Sequence, residues 1–174
     1  ARINDSANLN AISYGRKAIV ATQSANGGYY WNIPKLFDSA ASPTTAVAIF
    51  ALKYYANLTT SEQSAVTRGM NYLISNQMTD GGWPAYPGDP ISDLYTSQSA
   101  LLALLQSGLT PSNTTVSKAL TYLNSKQGSD GGFGGLSSTS YSAMIYKLAG
   151  TNYQTRLSQT IAWIKANQNP DGGW

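Results

Sequence analysis

A seven-residue phrase occurs four times in this chain, and few folds can use it. It reads Gln77-Met78-Thr79-Asp80-Gly81-Gly82-Trp83 and returns as Gln127-Gly128-Ser129-Asp130-Gly131-Gly132-Phe133 and Gln168-Asn169-Pro170-Asp171-Gly172-Gly173-Trp174. A looser copy comes first, Gln23-Ser24-Ala25-Asn26-Gly27-Gly28-Tyr29. The four glutamines stand 54, 50 and 41 residues apart, a period expected of one supersecondary unit repeated along a chain. The Gln ends an amphipathic stretch, and the Asp or Asn hydrogen-bonds its own backbone in a tight turn. Gly-Gly accepts the positive φ that stops a helix and reverses the chain, and the ring gives the returning chain something large to bury. Four near-identical copies suit a repeated architectural need better than four active sites. All of these Gln, Asp, Gly and aromatic positions are therefore read as structural, with Trp83, Phe133 and Trp174 expected inside the repeat.

Between the turns the periodicity is helical. A first helix is predicted over about Asn8 to Thr22, with Ile12, Ile19, Val20 and Gln23 near one face. Ser42 suits an N-cap with Pro43 at the first helical position, and Ala46 to Leu52 then runs apolar on every side, which marks an interior helix. Thr60 or Ser61 is expected to cap a third helix in which Val66, Met70, Leu73, Ile74 and Gln77 share a face. An interior helix resumes around Ser97 with Ala100 to Leu105. Val116, Leu120 and Leu123 mark the next amphipathic helix, Ala143 to Ile145 with Leu148 the next interior one, and Leu157, Ile161 and Ile164 the last. Seven helices result, alternately outer and amphipathic or inner and apolar. The predicted fold is all-α, one domain over 1–174, an array of about three and a half helical hairpins.

Composition narrows the chemistry. With no Cys there are no disulfides, thiolate metal sites or Cys nucleophile, and with no His the usual catalytic base and zinc ligand are missing. No metal or cofactor is expected. A net charge of +3 with 11% charged residues, scattered along the chain, does not describe a nucleic-acid or polybasic membrane surface. No apolar run approaches the ~18 residues of a membrane span, and the first residues lack the apolar core of a secretory signal. A surface dressed in Ser, Thr, Asn, Gln and 12 Tyr leans towards an extracellular or cell-surface setting.

Gln-x-x-Asp-Gly-Gly-Trp closing one helix, followed by a loop and an inner helix rich in Ala and Leu, resembles the repeat of the α/α-toroid superfamily. That group includes squalene and oxidosqualene cyclases, protein prenyltransferases, complement-type thioester domains and cobalamin carriers. The resemblance covers essentially the whole chain and implies that the motif's Gln and Trp stitch outer helices together. A closed ring of six hairpins needs about 300 residues at this period, so a partial or open barrel is expected. The chemistry of the group does not carry over with the fold. No Asp-x-Asp-Asp cluster stands here to protonate an alkene, and neither the zinc ligands of prenyltransferases nor the thioester Cys is present. Gly81-Gly82-Trp83-Pro84-Ala85-Tyr86-Pro87 also resembles a loop of toroid-fold pectate lyases, with Asp89 and Asp93 following it.

Two functional readings follow. The first is a non-catalytic module in which Tyr30, Trp31, Tyr86 and Tyr95 contact a glycan or protein, with exposed repeat ends driving self-assembly into homo-oligomers or filaments. The second is an enzyme of the toroid class. It is either terpenoid cyclase-like, with its acid outside this sequence, or a polysaccharide lyase using Asp89 and Asp93 as ligands for a cation or substrate. Asp89 in a Gly-Asp-Pro turn and Asp93 as the cap of the next helix is the favoured reading of the two acids.

Overall fold

The computed structural model describes residues 6–30, 40–54 and 57–174. Seven α-helices are among them: α1 Ser6–Thr22, α2 Ser42–Lys53, α3 Thr60–Ser75, α4 Leu94–Gln106, α5 Thr114–Lys126, α6 Leu136–Ala149 and α7 Gln154–Ala166. A short 3-10 turn, Thr151–Tyr153, precedes α7. The described residues contain no strand, and two isolated bridges, Tyr29 with Ala41 and Trp83 with Asp93, are the whole of their β-type pairing. The array is all-helical, as the periodicity predicts. No described helix is long and apolar enough to cross a membrane.

Helices α2, α4 and α6 lie side by side as an inner layer, with α4 in the middle. Helices α3, α5 and α7 each pack on the inner helix that precedes them in sequence, and α1 packs more lightly on α2 and α3. Leu73, Leu101, Leu104, Leu120, Leu123 and Ile145, each 0–1% exposed, join the two layers into one core. The pattern of burial follows the layer. Ten consecutive residues of α4, Thr96 to Leu105, are buried because it has inner neighbours on both sides. In α2 and α6 burial is one-sided, with Val47, Met144 and Leu148 exposed, so these two are not apolar all round in use, although α2 reads that way in sequence.

Several helix starts differ from their predicted positions. The cap of α3 is Thr59, one residue before the expected Thr60: its hydroxyl accepts from Glu62 N at 3.4 Å and its N–H donates to Glu62 Oε2 at 2.7 Å, a reciprocal capping box. The cap of α2 is Ala41, with Ser42 already helical and buried. Helix α4 begins at Leu94, three residues before Ser97, and its cap is Asp93, as the sequence also allows for that residue: Asp93 Oδ1 accepts from Thr96 N at 2.7 Å.

Glu62 also takes a 2.5 Å hydrogen bond from Arg16 Nη2, which ties α1 to α3. Burial opposes its charge, but the Thr59 N–H and hydroxyl and the Arg16 guanidinium outweigh that and hold its pKa below the ordinary value. A depressed folded pKa means stability that is present above the unfolded pKa and lost as pH falls through the folded one. Thermal stability is therefore expected to be level above about pH 5 and to fall below pH ~4, and Glu62→Gln to flatten part of that decline in melts recorded from pH 3 to 7.

The four turns share one construction. The Gln Nε2 of each of the first three donates twice, once within its own turn and once to the next outer helix. Gln23 reaches Gly27 O and Ala65 O, both at 2.8 Å, and Gln77 reaches Gly81 O and Thr115 O, both at 2.9 Å. Gln127 reaches Gly131 O and, in place of a carbonyl, the Thr160 hydroxyl, both at 3.1 Å. Asn26, Asp80, Asp130 and Asp171 each accept from the N–H of the second glycine, at 2.9–3.1 Å. The N–H of the following aromatic residue donates to a hydroxyl one turn into the next inner helix: Tyr29 to Thr45, Trp83 to Ser97 and Phe133 to Thr139, at 2.8–3.0 Å.

Those three hydroxyls are buried, so replacing one with an isosteric methyl strands an amide in the core. Thr139→Val is expected to cost about 1–3 kcal/mol, which a melting temperature lower by roughly 2–12 °C would record.

The fourth turn makes the same internal bonds, Gln168 Nε2 to Gly172 O at 2.7 Å and Trp174 Nε1 to Ile164 O at 3.0 Å. No described helix packs over it. Trp174 is consequently 57% exposed, a correction to its expected burial, whereas Trp83 is fully buried and Phe133 is 5% exposed.

Candidate functional site

The face of the inner layer turned away from the outer helices leaves large side chains uncovered; Leu9 and Tyr14 on α1, Ile74 on α3 and Ile161 on α7 are uncovered as well. The inner face carries Val47 from α2 and Tyr54 at the C-cap of that helix, Tyr95 from α4, and Met144 and Leu148 from α6, which are 45–82% exposed. Their spacings place them on one stripe per helix, seven residues from Val47 to Tyr54 and four from Met144 to Leu148. Two hollows open along this face. One, of about 520 Å³, lies at the glycine-turn end and is lined by Pro43, Val47, Ala85, Tyr86, Asp93 and Tyr95, among others. The other, of about 590 Å³, lies at the opposite end of the same helices and is lined by Phe50, Tyr54, Leu102, Tyr141, Met144 and Leu148, among others. Tyr95 of the first meets Tyr141 of the second edge to face, with ring centroids 5.4 Å apart. A hydrogen bond with Tyr95, together with burial, raises the Tyr141 hydroxyl above its ordinary pKa.

A third hollow, about 630 Å³, lies on the outer side between α1 and the start of α3 and is lined by Leu9, Ile12, Val20 and the Arg16–Glu62 pair. Its Arg16 and Glu62 charges pair with each other, and Lys17 lines it as well. A fourth, of about 590 Å³ between α5 and α7, is built from amides, hydroxyls and Arg156, whose Nη1 is bound to Gln127 Oε1 at 2.6 Å.

The residues singled out in the sequence distribute unevenly over this surface. Tyr86, Tyr95 and Asp93 come together around the first hollow. Asp89 does not join them: its Oδ2 accepts from Tyr86 N at 3.0 Å and so shapes the loop. Tyr30 is half-buried beyond the first turn and lines neither hollow, and Trp31 lies outside the described residues. Three residue sets escaped the sequence reading. Val47, Met144 and Leu148 look like core in an apolar run, and only the layer order shows them uncovered. The hydroxyls of Thr45, Ser97 and Thr139 keep no fixed distance from the glycines, since the intervening loops differ in length. Tyr72, Tyr122 and Trp163, by contrast, each stand five residues before a motif Gln and could have been found. Tyr72 and Tyr122 donate to the loop carbonyls of Ala40 and Ser92, and Trp163 donates to Asp130.

Every described carboxylate is occupied as an acceptor from a backbone N–H: Glu62 from Thr59, Asp80 from Gly82, Asp89 from Tyr86, Asp93 from Thr96, Asp130 from Gly132 and Asp171 from Gly173. For Asp130 the Gly132 N–H, and after it the Trp163 indole N–H, hold the pKa below the ordinary value. No described group of three or more His, Cys, Asp or Glu side chains is placed to hold a metal ion. The arrangement offers a largely apolar, ring-bearing surface with Asp93 at one end and Lys53 and Gln106 at the other, and no described proton donor of the kind that starts a carbocation.

Comparison with known proteins matches this architecture. The model of the squalene-hopene cyclase C-terminal domain family fits residues 2–160. A probable squalene-hopene cyclase of Sinorhizobium fredii is 30% identical over 171 residues, covering 88% of this chain and 25% of the relative. A squalene-hopene cyclase of Bradyrhizobium diazoefficiens is 26% identical over 94% of this chain and 30% of its own length. A terpene cyclase/mutase of a Nectria species is 38% identical over 99 residues, 56% of this chain and 13% of its own. The chain thus spans less than a third of the curated relatives it matches. By its inner and outer helical layers, its Gln-stitched glycine turns and this family match, the chain belongs to the squalene-hopene cyclase C-terminal domain family.

Proposed function

We propose that this chain is a section of the wall of a terpenoid-cyclase-type α/α barrel, with α2, α4 and α6 presenting their uncovered face to a hydrocarbon substrate. The observation that carries the reading is that face itself. Val47, Tyr54, Met144 and Leu148 stand exposed on helices whose other sides are sunk in the core, and large apolar side chains grouped in a concavity mark a binding surface. Relatives named as squalene-hopene cyclases support it. In this role the segment shapes and encloses the substrate. The acid that protonates an alkene is supplied from outside the described residues, whose carboxylates are all engaged in turns, caps or the Arg16 pair.

The non-catalytic, self-assembling module suggested by the composition gains nothing from these relatives, which are named as cyclases. The lyase-like alternative is weakened by the separate tasks of its two acids, Asp89 in the loop and Asp93 at the start of α4.

Charge placed on the inner face tests the proposal. Val47→Glu and Met144→Glu alter exposed positions (57% and 45%), so the fold should survive while squalene binding, followed by tryptophan fluorescence, weakens at least tenfold. Ile91→Glu, on a loop residue 74% exposed and outside both hollows, serves as control and should change nothing. Binding indifferent to both inner-face substitutions would overturn the proposal.

A further inference from the structure

The repeat serves as its own control, and its third unit departs from the pattern on the outer side of the wall. In the first turn the motif glutamine, Gln23, accepts at Oε1 from Arg68, which stands nine residues before the next motif Gln, and Lys118 holds the same place in α5. In α7 that place is Gln159, and the cation stands one turn earlier, at Arg156, where α3 and α5 have Ala65 and Thr115. The stitch survives, since Arg156 Nη1 donates to Gln127 Oε1 at 2.6 Å. Stitching does not explain the shift, because Arg68 stitches from the other position. The approach to α7 departs as well: the side chains of Thr59 and Asn113 cap α3 and α5, whereas α7 follows the Thr151–Tyr153 turn with no side-chain cap.

Both departures meet at the hollow of about 590 Å³ between α5 and α7, which Asn152, Arg156 and Gln159 all line. Arg156 is its one charged residue. The rest of the lining is four amide side chains, two hydroxyls, Tyr153 and a glycine, with no acid and no aliphatic chain. Arg156 is half-buried and forms no ion pair among the described residues, unlike Arg16 with Glu62. Its neighbours are neutral: Gln127 Oε1, the Asn124 carbonyl 3.5 Å from Nη1, and the Tyr146 hydroxyl, whose pKa burial raises to about 12 against the pull of the guanidinium. Asp130 does not line the hollow and is bound by the Gly132 and Trp163 N–H groups. A guanidinium in a polar recess without a counter-charge favours an anion that it can grip through paired N–H bonds.

We propose that this outer hollow binds an acidic sugar, a uronate whose carboxylate pairs with Arg156 and whose hydroxyls share the surrounding amides and hydroxyls. Its volume is in the range of pockets for a small organic molecule and exceeds the need of a lone inorganic ion. A hydrocarbon there would leave these polar groups desolvated and unpaired. The site is independent of the inner face and of what that face binds.

Sodium glucuronate, glucose and sodium sulfate, titrated calorimetrically into the chain at low ionic strength, separate the sugar acid from its two halves. Glucuronate is expected to bind at least about tenfold more tightly than either. Arg156→Gln should remove that advantage and leave glucose no weaker. Asn152→Ala alters an exposed turn residue whose side chain makes no hydrogen bond among the described residues, so it should weaken glucuronate about threefold or more without moving the melting temperature. Arg68→Gln, which loses the same stitching bond in the first unit, should leave binding unchanged. Glucose or sulfate matching glucuronate, binding indifferent to Arg156→Gln or Asn152→Ala, or a loss in Arg68→Gln equal to that in Arg156→Gln would each overturn the proposal.

Discussion

Gly81→Ala is expected to destabilise the fold by about 3 kcal/mol or more, lowering the melting temperature by roughly 6–12 °C. Two effects combine. Gly81 holds φ at +91°, a conformation that an L side chain adopts only with strain. A methyl group built there would also collide with the Lys118 carbonyl of α5, and backbone cannot move aside as a flexible side chain does. The same seat recurs where Gly27 meets Arg68 O and Gly131 meets Gln159 O, with a Cβ only 2.5 and 2.7 Å from the oxygen. Gly172 separates the two causes. Its φ of +86° is nearly the same, but nothing lies within 4 Å of an added methyl. Gly172→Ala is expected to cost about 1 kcal/mol, the backbone term alone. Equal losses at the two sites would mean that docking onto the next outer helix contributes nothing.

The second large effect concerns the ring after the glycines. Trp83 is fully buried in the core, and its indole N–H donates to Leu73 O at 2.7 Å. Trp83→Ala removes that bond and leaves a cavity between α3 and α4, for an expected loss of about 3–5 kcal/mol. Trp174 makes the equivalent bond to Ile164 O at 3.0 Å but is 57% exposed, so Trp174→Ala should cost well under 1 kcal/mol. Chemical denaturation of the two variants measures the contrast. A comparable loss in both would show that burial against the neighbouring repeat is not what gives the ring its structural weight.

Much of this architecture is legible in the sequence because the repeat says the same thing four times. Gly-Gly with a preceding Asp fixes where the chain reverses, and the spacing of Val66, Leu73, Val116, Leu120 and Leu123 fixes which face of each outer helix is buried. Helix starts are less legible, since Thr59, Thr60 and Ser61 are all able caps and only Glu62, reaching back to Thr59 N, selects among them. Burial at the fourth turn depends on what packs over it, so Trp174 cannot be told from Trp83 by local sequence. The candidate site is the least legible part. Val47, Met144 and Leu148 have the chemistry of core residues, and their exposure follows from the order in which α2, α4 and α6 line up. Tyr86, Tyr95 and Asp93 are visible as candidates, but their shared hollow forms only when the loop after Trp83 folds back onto the start of α4.

Photoaffinity labelling with a polyprenyl chain that carries a benzophenone tests most directly whether the inner face is the working surface. Peptide mapping of the adducts should place them in residues 42–54, 84–106 and 136–149, with labelling suppressed by excess squalene and by Met144→Glu. Adducts gathered instead in the outer groove between α1 and α3, at Leu9, Ile12 and Val20, or spread without preference over the outer helices, would contradict the account.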